Sequence, residues 1–244
     1  MNNQSTNYGN RLTSWLRAIY SSWVVQNLLH TDVANLKLKI DPNWRVLDVG
    51  CGSDPPLLRA VQPRAYVGVD AYGPSIDLLR ARPEFGNVFD HTSHVAEIQS
   101  LEFPDRFFDA VVIVDVIEHL SKEDGITLLR RAARWANECV YISTPNGFLR
   151  QDPYDSNFYQ EHLSGWTVDE LVELGFTTIL GGGGLRCLRK KEMQPDQWSH
   201  VSGSSMRWRP YKLWSIISAL SQLIVYRYPR ACYQLHATLK VNQF

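Results

Sequence analysis

This 244-residue chain lacks an excess of either charge: Lys plus Arg number 25 and Asp plus Glu number 25, for a net charge of +0. With no basic surplus to attract a polyanion, nucleic acid is a poor partner. It also lacks any pair of cysteines at metal-ligand or redox spacing. The four cysteines stand at 51, 139, 187 and 232 with no C-x-x-C, three of them in apolar or strand-like surroundings. They read as reduced packing residues in a cytoplasmic protein, which excludes a disulfide scaffold and a zinc framework. No basic start runs into an apolar core, so no signal peptide is expected. No apolar run is long enough for a transmembrane segment. The best stretch, Leu213 to Tyr226, is short and interrupted by serines and Gln222. Hydrophobic content of 44% and charged content of 20% exclude global disorder.

What is present begins at Trp44. Val46-Leu47-Asp48-Val49 is an apolar run bounded by Gly50-Cys51-Gly52. It reads as a buried parallel strand whose glycines let the backbone turn and approach a ligand. A second strand, Tyr66 to Val69, ends in Asp70, twenty-two residues after Asp48, the length of one strand–helix–strand unit. A carboxylate at that point suits the hydroxyls of a ribose; its plainer role is a helix cap.

The rest of the chain alternates strand-like and helical stretches. Leu12, Trp15, Leu16, Ile19, Trp23, Val24 and Leu28 recur at helical steps ahead of the first strand. They make residues 1–40 a helical extension, either packed on the sheet, closing over a pocket or forming a homodimer contact. The spacing predicts helices after Pro55, over Pro74–Arg82, from Ser121 to about Asn137 and from Trp166. Thr167 and Glu170 are placed there as a capping box. Strands are expected at His94 to Ile98, Phe108 to Val114, Val140 to Ser143 and Phe176 to Leu180. Gly181 to Gly184 reads as a flexible turn, and Tyr211–Leu223 as a helix. Gln234 to Val241 reads as an antiparallel edge strand. Residues 41–244 then form one α/β domain with an insertion at about 185–232. Its parallel sheet has helices on both faces and strand C-termini on one edge.

In such a sheet, ligands bind beyond the carboxyl ends of the strands. Those ends carry Gly50-Cys51-Gly52, Asp70, Glu97, Asp115 and Thr144. A dinucleotide wants a third glycine for its pyrophosphate, but Asp54, Pro55 and Pro56 occupy that part of the turn. S-adenosyl-L-methionine has a ribose and a sulfonium but no phosphate, so it suits these carboxylates better.

The motifs V-L-D-V-G-C-G, V-G-V-D, E-F-P-D-R-F-F-D-A-V-V, D-V-I-E-H-L, I-S-T-P-N-G and H-L-S-G-W-T-V-D-E-L-V-E-L-G-F occur in that order. Over about residues 44–180 the chain resembles class I S-adenosylmethionine-dependent methyltransferases, in particular the small-molecule branch of ubiquinone-biosynthesis O-methyltransferases. The resemblance implies a Rossmann-like, seven-stranded, mostly parallel sheet in the order 3-2-1-4-5-7-6, with the last strand antiparallel. It implies that Asp48, Gly50, Cys51 and Gly52 line the methionine arm and that Asp70 binds the ribose, with Ala71 and Tyr72 beside the adenine. Glu97 and Ile98 would meet the adenine, and Asp115 and Val116 would close the pocket. In the ubiquinone-type relatives the cluster matching Asp115, Glu118 and His119 can hold a divalent metal; no metal is required by the residues alone. His119 and His162 are the candidate catalytic bases for a small-molecule acceptor, each weighed against a structural role. Tyr154, Phe158 and Tyr159 would wall the acceptor or simply pack. A non-catalytic cofactor-binding scaffold and a nicotinamide oxidoreductase remain the alternatives.

Overall fold

A computed structural model of the chain describes residues 31–82, 91–153, 157–193 and 206–241. The helical stripe expected between Leu12 and Leu28, and Tyr154, lie outside the described residues.

Seven strands form one sheet. They are β1 (Arg45–Val49), β2 (Ala65–Asp70), β3 (His91–Val95), β4 (Phe108–Val114), β5 (Ala136–Pro145), β7 (Thr178–Leu185) and β9 (Cys232–Lys240). Two-residue strands β6 (Arg150–Gln151) and β8 (Glu192–Met193) pair with each other. The sheet order is β3-β2-β1-β4-β5-β9-β7. Without the two short strands this is 3-2-1-4-5-7-6, the order expected. The pairs among β1 to β5 are parallel, and β9 runs antiparallel to both of its neighbours.

Two-sided burial explains the continuous apolar runs. Along a strand, successive side chains point to opposite faces. Leu47, Val49, Val111 and Ile113 therefore join one core cluster, while Val46, Ala110 and Val112 join another. Helix α4 (Lys122–Trp135) covers the first face with Leu128, Leu129, Ala132 and Trp135. Helices α1 (Thr31–Lys39), α2 (Pro56–Ala60) and α3 (Gly73–Arg80) cover the second with Leu36, Leu57, Ile76 and Leu79. Ser121 caps α4 by accepting the Asp124 N–H at 3.1 Å. The capping box of Thr167 and Glu170 opens α5 (Val168–Glu173).

Three expectations are corrected. Strand β3 lies at His91–Val95, three residues before the expected start, because Asp70 pairs with Val95 and ends the ladder there. Glu97 consequently sits beyond the strand, before a short helical turn at Ile98–Ser100. Gly181 to Gly184 are not a turn but part of β7, with an irregularity in register between Gly182 and Leu185. Their lack of side chains admits helix α6 (Tyr211–Val225), since a Cβ on Gly181 would stand 2.1 Å from the Val225 carbonyl oxygen. Strand β9 is not an edge: it lies between β5 and β7, and β7 is the outer strand.

Candidate functional site

The glycine turn after β1 is shaped by its neighbours. Gly50 has φ of +69°, and its N–H, like that of Cys51, donates to the Val69 carbonyl, at 2.7 and 3.1 Å. A Cβ on Gly50 would stand 2.2 Å from Val116 Cγ2, so glycine is demanded twice, by dihedral and by contact. Gly52 has φ of +62°, but a Cβ there would meet nothing within 4 Å. This backbone faces open space. The Gly52 N–H donates to Asp70 Oδ2 at 2.9 Å, and the Tyr72 N–H donates to Asp70 Oδ1 at 2.8 Å. Asp70 therefore ties the two turns together, and each carboxylate oxygen keeps acceptor capacity for a ligand. Ala71 and Tyr72 stand half-buried beside it. Asp54 is paired with Arg82 at 2.6 Å and lies 3.7 Å from Arg59.

Asp48 is buried at 2% exposure, where its Oδ2 accepts the Tyr66 hydroxyl at 3.1 Å. Burial pushes its pKa from 3.8 up to about 7; the Tyr66 bond opposes the shift and the Asp70 charge adds to it. A raised carboxyl favours the protonated folded state, so this group loses stabilising effect as pH rises from about 4 to about 7. Asp48→Asn keeps an acceptor for Tyr66 and removes that dependence. The variant is expected to gain on wild type in thermal unfolding between about pH 4 and pH 8, by at most about 4 kcal/mol.

The end of β4 carries the next group. Asp115 adopts φ of +53°, a left-handed conformation that Asp tolerates better than most side chains. Its N–H donates to the Ser143 carbonyl at 2.9 Å, and its Oδ1 accepts from Gln234 Nε2. The same Gln234 nitrogen donates to Ser143 Oγ at 2.9 Å, which donates in turn to Asp32 Oδ1 at 3.2 Å. Asp115 opens onto the cleft yet lies deep among protein atoms. Removal from bulk water, then the nearby Glu118 and Asp32, push its pKa well above the carboxylate range. Val116, beside it, is the residue filling the space above Gly50.

Glu118 is buried, accepts the Thr144 hydroxyl at 2.9 Å, and is pushed by burial to a pKa of about 7. Its backbone carbonyl receives the N–H groups of Leu163 and Ser164 at 2.8 and 3.0 Å, which brings the 157–164 segment over the strand ends. That places His162 against His119, ring centroids 4.7 Å apart and edge to face. His119 Nδ1 lies 3.0 Å from the Glu161 carbonyl and His162 Nδ1 lies 2.6 Å from the Leu149 carbonyl. A carbonyl only accepts, so each Nδ1 carries the proton and each Nε2 keeps a lone pair. Burial lowers both pKa values, that of His162 to about 4 with His119 adding to the shift. Glu118, His119 and His162 each bring one ligand atom within 4.8 Å of the others. Two neutral imidazoles tied through Nδ1 and one carboxylate are a donor set that fits a divalent cation. Asp115 is not in that group.

The structure therefore brings Asp48, Gly50, Cys51, Gly52, Asp70, Ala71, Tyr72, Asp115 and Val116 to one edge, together with both histidines. Ile98 packs against the core of the same face as β1. Glu97 is exposed and accepts the Tyr159 hydroxyl at 3.2 Å, so the 157–164 segment reaches from β4 across to β3. Phe158 is 81% exposed. Asp32, Ser143 and Gln234 carry no local signature in the sequence; they join the site over separations of 111 and 119 residues.

Beyond β5, at the ends of β7 and β9, lies a cavity of about 860 Å³. Arg186, Arg189, Lys190, Lys191, Arg207 and Arg230 line it against one carboxylate, Glu192, and Tyr233 forms part of the wall. Its floor is fixed: Asn146 Nδ2 donates to the carbonyls of Pro229, Arg230 and Cys232 at 3.1, 3.2 and 2.9 Å, and Arg186 donates to the Asn146 carbonyl at 2.8 Å. These residues are scattered from 145 to 233, and no sequence spacing announces the cavity.

Residues 46–138 match a family described as a methyltransferase domain. With the fold and the glycine turn tied to Asp70, that match supports an S-adenosylmethionine-dependent methyltransferase, an enzyme whose cofactor is S-adenosyl-L-methionine. None of the curated proteins compared matches the chain. Among solved structures it shares its fold with the YcgJ protein of Bacillus subtilis, at 15% identity over 86% of this chain and 97% of that one, TM-score 0.53. It is similar to coclaurine N-methyltransferase bound to N-methylheliamine and SAH, at 15% identity over 86% and 72%, TM-score 0.53. It is also similar to phosphoethanolamine N-methyltransferase 2 of Haemonchus contortus in complex with S-adenosyl-L-methionine, at 16% identity over 86% and 51%, TM-score 0.52. No helix among the described residues is long and apolar enough to cross a membrane.

Proposed function

We propose that the enzyme transfers the sulfonium methyl of S-adenosyl-L-methionine to an oxygen or nitrogen of a small molecule bearing an anionic group, on the pattern of the ubiquinone-type O-methyltransferases its motifs resemble. The observation that carries this reading is charge segregation along one sheet edge. The glycine turn is tied to the carboxylate of Asp70, whereas the cavity beyond β5 is lined by six cationic side chains, of which Arg230 is paired with Asp169, and one carboxylate. A sulfonium belongs at the first end and an anion at the second, in a chain whose overall charge is zero.

In this reading Asp70 accepts the ribose hydroxyls, Ala71 and Tyr72 flank the adenine with Glu97 and Ile98, and the open face of Gly50-Cys51-Gly52 receives the methionine arm. Asp48 supports that turn from below through Tyr66. Asp115 and Val116 close the pocket at β4. The protein's contribution is alignment of acceptor and methyl. The Nε2 of His119 or His162 takes the acceptor's proton, since Nδ1 of each is committed to a carbonyl. A second reading is favoured by the cluster of Glu118, His119 and His162. A divalent ion held by these three would acidify an acceptor hydroxyl bound to it.

The test is methyl transfer from labelled cofactor to paired acceptors, each with and without a phosphate or carboxylate. The anionic member of each pair is expected to turn over, and Arg186→Gln is expected to raise its KM with little change in kcat. His119→Ala and His162→Ala are expected to lower kcat by about a hundredfold where the histidine is the base. Turnover unchanged in both variants removes them from the mechanism. Loss of wild-type turnover with a chelator, restored by a divalent ion, selects the metal reading.

A further inference from the structure

Helix α6 is built inside out. Ser218, Ser221 and Gln222 are buried and face the glycine-bearing outer strand β7. The Gly184 N–H donates to Gln222 Oε1 at 3.0 Å, and Gln222 Nε2 donates to the Gly181 carbonyl at 2.7 Å. The Leu185 N–H donates to Ser221 Oγ at 3.0 Å, and Ser218 Oγ donates to the Gly183 carbonyl at 3.3 Å. These side chains satisfy backbone groups of a sheet edge that would otherwise offer itself for pairing. Val225 is buried in the core, but five other apolar residues are left on the outer side. Leu213, Ile216, Leu220, Leu223 and Ile224 recur at helical steps and are 50%, 59%, 58%, 70% and 59% exposed. A surface helix in water has the opposite polarity, so this stripe is made for a covering that is not water.

The residues around the stripe identify that covering. Arg207, Trp208 and Arg209 precede the helix and Arg227 and Tyr228 follow it, all of them exposed. The chain contains no Asp or Glu from Met206 to its last residue. Aliphatic side chains bounded at both ends by cations and interfacial aromatics, with no carboxylate among them, match a helix lying in the headgroup plane of an anionic bilayer. At fifteen residues the helix lies on a bilayer and does not cross it. A second copy of the same face would bring cationic flanks against cationic flanks. The N-terminal residues 1–30 carry Arg11 and Arg17 and no carboxylate, so they too lack the complementary charge.

We propose that α6 docks this enzyme on anionic phospholipid membranes, with the Leu213 to Ile224 stripe in the acyl boundary and Arg209 and Arg227 on the headgroups. The test is co-sedimentation of the full chain with vesicles of phosphatidylcholine alone and of phosphatidylcholine with one-third phosphatidylglycerol. Wild type is expected to sediment with the anionic vesicles and to be partly released by salt. The doubly substituted Leu220→Gln/Leu223→Gln is expected to lose about tenfold or more in partitioning. Arg209→Gln/Arg227→Gln is expected to lower binding to the anionic vesicles while leaving the weak binding to the neutral ones unchanged. Calorimetric binding of S-adenosyl-L-methionine, unchanged in both variants, reports an intact fold. The proposal is overturned if wild type stays in solution with both vesicles, or if Leu220→Gln/Leu223→Gln sediments as wild type does. It is equally overturned if that variant converts a wild-type dimer to monomer while neither protein sediments, which assigns the stripe to a second copy.

Discussion

Asp70→Ala is expected to weaken binding of S-adenosyl-L-methionine by on the order of a hundredfold. A hydrogen bond to a charged group contributes about 1.5–3 kcal/mol, so on the proposed reading two ribose hydroxyls on one carboxylate would give about 3 kcal/mol at the low end. The same oxygens hold the Gly52 and Tyr72 amides, so alanine also releases the two turns on either side of Asp70. Asp70→Asn separates the contributions. It keeps one carbonyl acceptor and loses the charge, and is expected to fall between wild type and alanine. Titration calorimetry with the cofactor and its demethylated product reads both. A dissociation constant that does not move in Asp70→Ala would take this residue out of the ribose site.

Gly50→Ala has the largest expected effect on the folded state. Alanine at φ of +69° is disfavoured by about 1–2 kcal/mol. Its methyl would also stand 2.2 Å from Val116 Cγ2, an overlap of the kind that costs about 1–3 kcal/mol in a packed core. The sum is a loss of about 2–5 kcal/mol in chemical denaturation. Gly52→Ala is the matched comparison. It meets the same dihedral penalty at φ of +62° with nothing within 4 Å, and is expected to lose only about 1–2 kcal/mol. Adding Val116→Ala to Gly50→Ala should recover part of the overlap and none of the dihedral penalty. Equal losses in Gly50→Ala and Gly52→Ala would show that the Val116 contact does not matter.

The element types were legible because their causes are local. Val46 to Val49 and Phe108 to Val114 announce buried strands by unbroken apolar runs, and Thr167 with Glu170 announces a helix start by its reciprocal caps. The glycine turn and the carboxylate twenty-two residues after Asp48 were readable for the same reason: one strand–helix–strand unit has a nearly fixed length. The departures from the local pattern have a common cause as well. Gly181 to Gly184 looked like a turn because glycine is permissive. Here it serves close approach to α6, a neighbour roughly thirty-four to forty-four residues away. The apolar pattern puts β3 three residues late because its few apolar residues do not mark its ends; pairing with β2 does. The strand after residue 232 reads as an edge in sequence because its place in the sheet depends on β5 and β7 together.

By itself the sequence determined the parallel sheet, the glycine turn and the acidic strand ends. These follow from runs, spacings and residue chemistry within a few turns of chain. Only the tertiary structure decided that Asp32, Ser143 and Gln234 stand beside Asp115, that His119 meets His162, and that six cations scattered over residues 186–230 line one cavity. It alone showed that α6 turns its polar side inward, because a periodic pattern records which residues share a face and not which face meets the protein.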